Sequence, residues 1–274
     1  MAEFLINGQA ANQLPVEDRG LHYGDGVFET IAVEKGQPLC WQQHWDRLQR
    51  GAQALAIPIP QQEQVTAELK QLINNSDRAV IKLIITRGQG GRGYKLPPQI
   101  QPTRILGLYP FPDYSTINPL AGVNVRLCKY RIQHNQRLAG IKHLNRLDQV
   151  LARAEWNDEY AEGIMQDVAG NLIEGTMSNF FLIKEQQLLT PDLSLCGIHG
   201  IIRERILAIA DTFGLQATVC ELDESSLYDA TEMFLCNSII GIWPVKKYRD
   251  HEFQNTAITL GIREQLLANK IIAG

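Results

Sequence analysis

Short strand-like and helix-like segments follow one another irregularly along this chain, and that irregularity restricts the folds open to it. The stretches 79–86 and 105–109 are rich in Ile, Leu and Val, as strands are. Apolar residues recur every three or four positions over 41–55, and 62–73 is amphipathic in the same way, so both are predicted helices. Because strands and helices do not alternate regularly, the pattern predicts an α+β fold rather than a doubly wound sheet.

The chain length and one proline-rich run predict two domains. At about 150 residues per domain, 274 residues make one large or two modest domains. The run 110–116, Pro-Phe-Pro-Asp-Tyr-Ser-Thr, is a linker candidate because its prolines and polar residues cannot continue a strand ladder. We therefore predict a small N-terminal domain over 1–115 and a larger C-terminal domain over 116–274.

The larger predicted domain also mixes helices and strands. Helical periodicity covers 145–156, where four apolar residues share one face: Leu147, Val150, Leu151 and Ala154. The other predicted elements are helices over 200–213 and 258–269, a hairpin that turns at 169–171, and strands over 123–130, 180–183 and 233–236.

Charge and composition exclude several classes of protein. The chain has 26 Lys and Arg against 30 Asp and Glu, and a net charge of −4 gives no global cationic field to attract nucleic acid. No apolar run reaches the roughly 20 residues that span a membrane, and the N-terminus lacks the basic region and apolar core of a signal peptide. The five cysteines and six histidines show neither CxxC nor ligand spacing, so we expect reduced thiols, no metal and a cytoplasmic location.

Lys142 is the first candidate for chemistry. It follows the apolar run 138–141 and has basic neighbours in Arg137, His143 and Arg146. Burial and nearby cations both lower the pKa of a lysine, and a lysine that forms a Schiff base needs such a pKa. The alternative is a surface lysine at the start of a helix, with its ammonium group in water.

Two other segments have chemical interpretations. Glu174 ends an apolar strand, where its carboxylate could keep a pyridinium nitrogen protonated; the alternative is an exposed glutamate in a turn. The glycines of 197–203 precede an apolar helix, whose first N–H groups suit a phosphate. An ordinary turn into a helix is the alternative there.

A lysine, a carboxylate and such a helix start are the parts needed to hold pyridoxal phosphate, and here the chain resembles a known family, the fold-type IV, class IV aminotransferase-like enzymes. The family's signature begins at a glutamate and has an asparagine five residues on, followed by two apolar or aromatic residues. Glu174, Asn179 and Phe180-Phe181 fit it. It continues to a threonine and a Gly-apolar-x-basic ending, as Thr190 and 200–203 do.

This resemblance runs nearly end to end and implies a fold, a cofactor and an assembly. The fold is that of D-amino-acid aminotransferases, with a smaller N-terminal α/β sandwich domain and a larger C-terminal domain built on a barrel-like sheet. The cofactor is pyridoxal 5'-phosphate. Family members are usually homodimers.

Two stretches resemble one branch of the family, the aminodeoxychorismate lyases. Residues 141–150, Ile-Lys-His-Leu-Asn-Arg-Leu-Asp-Gln-Val, resemble the lyases' lysine segment, whereas branched-chain enzymes have small residues and a tyrosine after the lysine. Residues 86–94 resemble the lyases' arginine-glycine loop, which the aminotransferases lack. The likeness implies formation of 4-aminobenzoate and pyruvate from 4-amino-4-deoxychorismate in folate biosynthesis. The alternatives are an aminotransferase for D-amino or branched-chain acids and a non-catalytic protein that has kept the fold.

The resemblance implies a role for each residue that matches the family's motifs. Lys142 would carry the cofactor and transfer the proton, and Glu174 would hold the pyridine nitrogen protonated. Arg92 would bind a substrate carboxylate, since a guanidinium fork suits that group. We assign no role to Glu29, where we expect the lyases to vary. The remaining implied contacts are to the phosphate from Arg47, Ile201, Ile202, Asn237 and Ser238, and to the substrate from Tyr23, Phe28 and Tyr94.

Overall fold

The computed structural model describes residues 3–74, 76–114 and 119–274. The chain divides into two compact units. The first runs to Pro112 and also includes Ile141–Asn145, the segment that contains Lys142; the second comprises 113–140 and most of the chain from Arg146 onward. The predicted boundary between residues 115 and 116 lies outside the described residues and stays a prediction.

Within its described residues, the first unit contains one antiparallel sheet and three helices. Its strands are β1 (Glu3–Ile6), β2 (Gln9–Ala10), β3 (Gly26–Glu34), β4 (Gln37–Pro38), β5 (Arg78–Thr86) and β6 (Thr103–Pro110), and its helices are α1 (Arg19–Tyr23), α2 (Trp41–Ala54) and α3 (Gln62–Ile73). The strands lie in the order β2-β1-β6-β5-β3-β4, and all neighbouring pairs are antiparallel. The predicted helices at 41–55 and 62–73 and the predicted strands at 79–86 and 105–109 are confirmed.

The apolar faces of α2 and α3 form the core of this unit together with one face of the sheet. Trp45 and Leu48 of α2 and Leu69 of α3 belong to the same buried cluster as Ile31 of β3 and Leu83 of β5. Successive side chains of a strand point to opposite faces. The odd-numbered residues of β3 therefore face this core, and one of them is the carboxylate Glu29.

The second unit is built on a larger mixed sheet. Its strands are β7 (Val123–Ile132), β8 (Glu162–Asp167), β9 (Leu172–Gly175), β10 (Asn179–Lys184), β11 (Gln187–Pro191), β12 (Gln216–Cys220), β13 (Glu232–Asn237), β14 (Gly241–Tyr248) and β15 (His251–Glu252), and its helices are α4 (Leu147–Arg153), α5 (Ile201–Leu207), α6 (Ser225–Asp229) and α7 (Ala257–Ala268). The order is β12-β11-β10-β13-β14-β7-β8-β9, with β15 beside β14. The pairs β11–β12, β14–β7 and β7–β8 are parallel.

This sheet is curled and barrel-like, as the resemblance implies. The terminal strand β9 contacts β10 and β11, so the sheet turns back on itself. Helices α5 and α7 contact the central strands β13 and β14, and β13 is buried along nearly its whole length. Mixed strand directions and helices in irregular order make the fold α+β, as predicted.

Two predicted helices are shorter in the structure. The predicted helix 145–156 is helical only over α4. The predicted helix 200–213 divides into α5 and a separate 3-10 turn, Ala210–Phe213. At the break, Ile209 N–H donates to the Ile206 carbonyl, three residues back, so the α-helical hydrogen-bond pattern stops there. None of the described helices is long and apolar enough to cross a membrane.

Candidate active site

Lys142 lies in the first unit, on a short extended segment that pairs with the edge of β3. Phe28 N–H donates to the Lys142 carbonyl at 3.0 Å, and Leu144 N–H donates to the Gly26 carbonyl at 3.0 Å. Farther along the same edge, β4 pairs with Val33 and Glu34. The segment therefore covers the part of the edge that β4 leaves open, and the backbone of Lys142 is hydrogen-bonded as that of a strand residue is.

The side chain of Lys142 lies over an aromatic ring. Its Nζ is 4.5 Å from the centroid of the Phe28 ring, so the structure brings these two predicted site residues together. The other amine near this ring, Lys82 Nζ on β5, is 5.4 Å from the centroid. A lowered pKa for Lys142 stays a prediction.

Arg47, the predicted phosphate ligand, is buried on α2 and bound to a carboxylate that the sequence analysis left without a role. Arg47 Nε donates to Glu29 Oε1 at 2.9 Å, and its Nη2 donates to Oε2 at 2.6 Å. His44 Nδ1 lies 2.6 Å from the same Oε2. Burial alone would raise the pKa of Glu29, but Arg47 and His44 more than offset it and lower that pKa to about 2.

The surroundings of His44 shift its pKa downward. Burial lowers its pKa, Glu29 raises it, and the positive charges of Arg47 and Lys142 lower it further, with a net downward shift. An ionised carboxylate only accepts hydrogen bonds. His44 therefore carries its proton on Nδ1 and donates it to Glu29, so the hydrogen-bond network selects one tautomer.

The predicted substrate-side residues Tyr23 and Tyr94 are brought together by a glycine. Gly93 N–H donates to the Tyr23 hydroxyl at 3.0 Å, and the two tyrosine rings meet edge to face at 5.6 Å between centroids. Tyr94 is largely exposed. Arg92 is exposed in the same loop and forms no ion pair within the described part of the chain, so its role stays a prediction.

This loop is held at its base by buried charges. Arg19 donates from Nε to Asp25 at 3.0 Å and from Nη1 to the Gly93 carbonyl at 3.0 Å, and its guanidinium lies 4.6 Å from the Tyr23 ring centroid. Arg87 donates twice to the same aspartate. Burial opposes ionisation of Asp25, but the two arginines lower its pKa overall. The lyase-like stretch is thus anchored to α1 by paired charges.

In the second unit, Glu174 is buried on β9 with its carboxylate oriented by two donors. Ile198 N–H donates to Oε2 at 2.9 Å, and Gln149 Nε2 donates to Oε1 at 3.3 Å. Burial lowers the pKa of Arg146, while Glu174 and Asp148 raise it, so Glu174 also interacts with this buried cation. The alternative of an exposed turn glutamate is wrong for Glu174.

The remaining signature residues build the entrance to α5. Asn179 Nδ2 donates to the Ile198 carbonyl at 3.0 Å, and a Cβ on Gly200 would lie 1.9 Å from Asn179 Oδ1, so a larger residue there would displace the Asn179 side chain. The hydroxyl of Thr190 accepts from Arg203 Nε at 3.3 Å. These contacts give the signature a structural reason, because they fix the loop that leads into the helix.

Ile201 and Ile202 are the first two residues of α5, as the phosphate prediction requires. The N-cap residue, Gly200, has no side chain, and within the described part of the chain the helix has no side-chain hydrogen bond at its cap. Asn237 forms the turn after β13: its Oδ1 accepts from Ile239 and Ile240 N–H, both at 2.8 Å. Asn237 thereby shapes the turn that presents Ser238.

These groups fit pyridoxal phosphate in kind. The first unit contains the amine of Lys142 and the guanidinium of Arg47, and the second contains the carboxylate of Glu174 and the glycine-led first turn of α5. Gln149 Oε1, beside Glu174, is buried and has no hydrogen-bond partner among the described residues. No group of three or more His, Cys, Asp or Glu side chains in that part of the chain could hold a metal ion.

The depressed pKa of Glu29 predicts how stability changes with pH. The folded state favours the ionised carboxylate, so the stabilisation is present above the unfolded-state pKa of about 4.5 and is lost as pH falls toward about 2. A shift of this size corresponds to a stabilisation on the order of 3 kcal/mol. The difference in unfolding free energy between wild type and Glu29→Gln, measured with urea, should be constant above about pH 5 and should shrink as pH falls from there to about 3. A difference independent of pH would contradict the assignment.

Comparisons with known proteins agree with this chemistry. The model of the amino-transferase class IV family matches residues 26–248. An aminodeoxychorismate lyase from Vibrio harveyi is 35% identical over 243 residues, which are 88% of this chain and 90% of that protein. A putative branched-chain-amino-acid aminotransferase from Methanocaldococcus jannaschii is 32% identical over 250 residues, or 88% of this chain and 85% of that protein.

A comparison with solved structures also finds a lyase of this kind. The crystal structure of 4-amino-4-deoxychorismate lyase from Pseudomonas aeruginosa superposes with a TM-score of 0.93 and 40% sequence identity. The match covers 98% of this chain and 100% of that one. By its sequence and by its fold, the chain belongs to the amino-transferase class IV family of pyridoxal-phosphate enzymes.

Proposed function

We propose that this protein is a pyridoxal-phosphate-dependent aminodeoxychorismate lyase, which converts 4-amino-4-deoxychorismate to 4-aminobenzoate and pyruvate in folate biosynthesis. The observation that carries the proposal is the conformation of the loop 88–93, which is held in place within the first unit. This lyase-like stretch is anchored at Gly93 by Arg19 and Tyr23. The likeness to the Vibrio and Pseudomonas lyases over most of the chain supports the same activity.

The proposed roles follow the chemistry of each side chain. Lys142 is the residue that joins the cofactor and then moves the substrate proton, and Glu174 accepts a hydrogen bond from the pyridinium N–H. Arg47, the N–H groups of Ile201 and Ile202, and the turn of Asn237 with the Ser238 hydroxyl bind the phosphate. Tyr23, Phe28, Arg92 and Tyr94 contact the substrate.

The reaction needs no second substrate. When bound, pyridoxal phosphate supplies an electron sink for the charge left on the carbon that carries the nitrogen. The Lys142 amine removes the proton from that carbon, and the C–O bond to the enolpyruvyl group breaks. The leaving group takes a proton and becomes pyruvate, while the ring becomes aromatic as 4-aminobenzoate. Aromatisation makes the step favourable, and Glu174 assists by keeping the pyridine nitrogen protonated.

An aminotransferase acting on D-amino or branched-chain acids is the second candidate, because the relative from M. jannaschii is a putative branched-chain enzyme. Such an enzyme would use the same lysine and carboxylate. It would also need a 2-oxo acid to accept the amino group. The product therefore separates the two functions.

The lyase activity can be tested directly. Protein loaded with pyridoxal phosphate and incubated with 4-amino-4-deoxychorismate should release 4-aminobenzoate and pyruvate in equal amounts without any 2-oxo acid. Lys142→Ala should lose turnover by roughly a thousandfold or more, because the proton-transfer group is gone. Lys82→Ala, which removes the other amine near Phe28, should retain it. Turnover that depends on a 2-oxo acid, or an active Lys142→Ala protein without added amine, would contradict the proposal.

Arg92 can be tested against a neighbour of equal charge. Arg92→Ala should raise KM for 4-amino-4-deoxychorismate about tenfold, because one charge-assisted carboxylate contact is lost. Lys95→Ala, in the same exposed loop, should leave KM nearly unchanged. Equal effects of the two variants would show that Arg92 contributes only its charge.

We also propose that the protein is a cytoplasmic homodimer. The apolar face predicted for 145–156 supports the dimer, because three of its residues are exposed on α4. Leu147, Val150 and Leu151 are 73%, 58% and 51% exposed. Adjacent exposed apolar side chains of this kind mark protein interfaces.

The dimer proposal predicts a specific change in mass. Wild type should have twice the mass of the chain by light scattering, and Val150→Glu with Leu151→Glu should shift it toward the monomer, because two charges would be buried at the interface. Val219→Glu, at a half-exposed valine on β12, is the control and should stay dimeric. A monomeric wild type, or a double variant that stays dimeric, would contradict the proposal.

A further inference from the structure

Glu29, His44 and Arg47 form a buried cluster within the first unit. Glu29 lies on the core face of β3, and the other two lie three residues apart on one face of α2. All three side chains are nearly inaccessible to solvent. Burying a carboxylate and a guanidinium is expensive even when they are paired, so such a pair adds little net stability over apolar residues. A role in positioning a functional group is a better reason for its presence.

The contacts fix the orientation of the guanidinium. Glu29 takes the Nε and Nη2 donors of Arg47 in a two-point fork, which sets both the plane and the rotation of the group. Two of the five guanidinium N–H donors are used in this way. The fork therefore determines the direction in which the rest of the guanidinium lies.

His44 restrains the carboxylate in turn. Its Nδ1 donates to Oε2, the oxygen that also accepts from Arg47 Nη2. With both oxygens of Glu29 engaged by α2, the carboxylate is held against rotation. The order of dependence is therefore from His44 to Glu29 and from Glu29 to Arg47.

A second pair in the same unit has the same geometry without the histidine. Arg104 Nε donates to Glu68 Oε2 at 2.6 Å, and its Nη2 donates to Oε1 at 2.5 Å. Both residues are buried, and neither matches a motif that implies contact with a cofactor. The pair is a control for losing a buried fork of this kind.

We propose that Glu29 and His44 are positioning residues that orient Arg47 toward the phosphate group of the cofactor. The inference rests on the proposed role of Arg47. It adds two residues that do not touch the cofactor but set the direction of one that does. Their loss should weaken binding of the phosphate group and leave recognition of the pyridine ring unchanged.

The test compares two ligands that differ only in the phosphate. Dissociation constants of pyridoxal phosphate and of pyridoxal are measured by absorbance titration of the apoprotein in wild type, Glu29→Gln and Glu68→Gln. Glu29→Gln should weaken pyridoxal phosphate binding about tenfold, the effect of losing one well-oriented charged hydrogen bond, with pyridoxal unchanged. Glu68→Gln should change neither constant. Inorganic phosphate should compete with pyridoxal phosphate more weakly in Glu29→Gln than in wild type.

Two variants of His44 give a second measurement if Glu29→Gln does not fold. His44→Asn keeps an N–H donor near the Nδ1 position and should bind pyridoxal phosphate like wild type. His44→Leu removes the donor and should weaken pyridoxal phosphate binding in the same direction as Glu29→Gln. Rescue by asparagine alone supports positioning through the hydrogen bond, whereas equal binding by both variants overturns it.

Other outcomes separate this inference from the lyase proposal. Equal losses for pyridoxal phosphate and pyridoxal in Glu29→Gln, or equal losses in Glu29→Gln and Glu68→Gln, would overturn the positioning role. A wild type that binds pyridoxal phosphate no more tightly than pyridoxal would overturn it as well. If the phosphate-specific loss occurs in a protein that forms no 4-aminobenzoate, the positioning role stands and the lyase proposal fails.

Discussion

The position of Lys142 depends on two backbone hydrogen bonds that pair its segment with the edge of β3. These bonds join Phe28 to Lys142 and Leu144 to Gly26. Because β3 is also paired along its length with β5, these bonds join the backbone of Lys142 to a six-stranded sheet. Reactive groups work best when they are held in place by such elements. The same strand carries Phe28 and, on its opposite face, Glu29, so one strand arranges the ring beside the amine and the carboxylate that holds Arg47.

The family signature acquires a physical explanation in the second unit. Glu174 accepts from Ile198 N–H, and Asn179 donates to the Ile198 carbonyl. The backbone N–H and carbonyl of Ile198 are therefore both hydrogen-bonded to side chains of the signature. Any larger residue at position 200 would displace the Asn179 amide, because its Cβ would collide with Asn179 Oδ1. The motif thus specifies the conformation of the loop before α5 as well as the carboxylate of Glu174.

Much of this architecture can be predicted from local sequence. The periodicity of 62–73 gives the limits of α3, and the β-branched run at 79–86 gives most of β5, because local pattern and tertiary burial agree there. The periodicity predicts that α4 has an apolar face, but it does not predict that this face is exposed, because periodicity does not say what covers a face. Pairing of 141–145 with β3 joins residues more than a hundred positions apart, and no local pattern encodes it.

The sequence contains a signal for the buried, paired state of Glu29. Glu29 occupies the same strand face as Val27 and Ile31, and a carboxylate on an apolar face needs partners. His44 and Arg47, three residues apart on an amphipathic helix, were the available partners. What sequence alone could not supply was the packing of α2 against β3, which depends on the whole core.

Reduction with borohydride followed by peptide mass spectrometry tests the central claim most directly. If Lys142 holds the cofactor, protein mixed with pyridoxal phosphate and reduced should carry one phosphopyridoxyl group, on the peptide that contains residue 142. Lys82, whose amine lies 5.4 Å from the centroid of the same Phe28 ring, is the competing position. A label on Lys82 or on another lysine, or no label after reduction, would contradict the account.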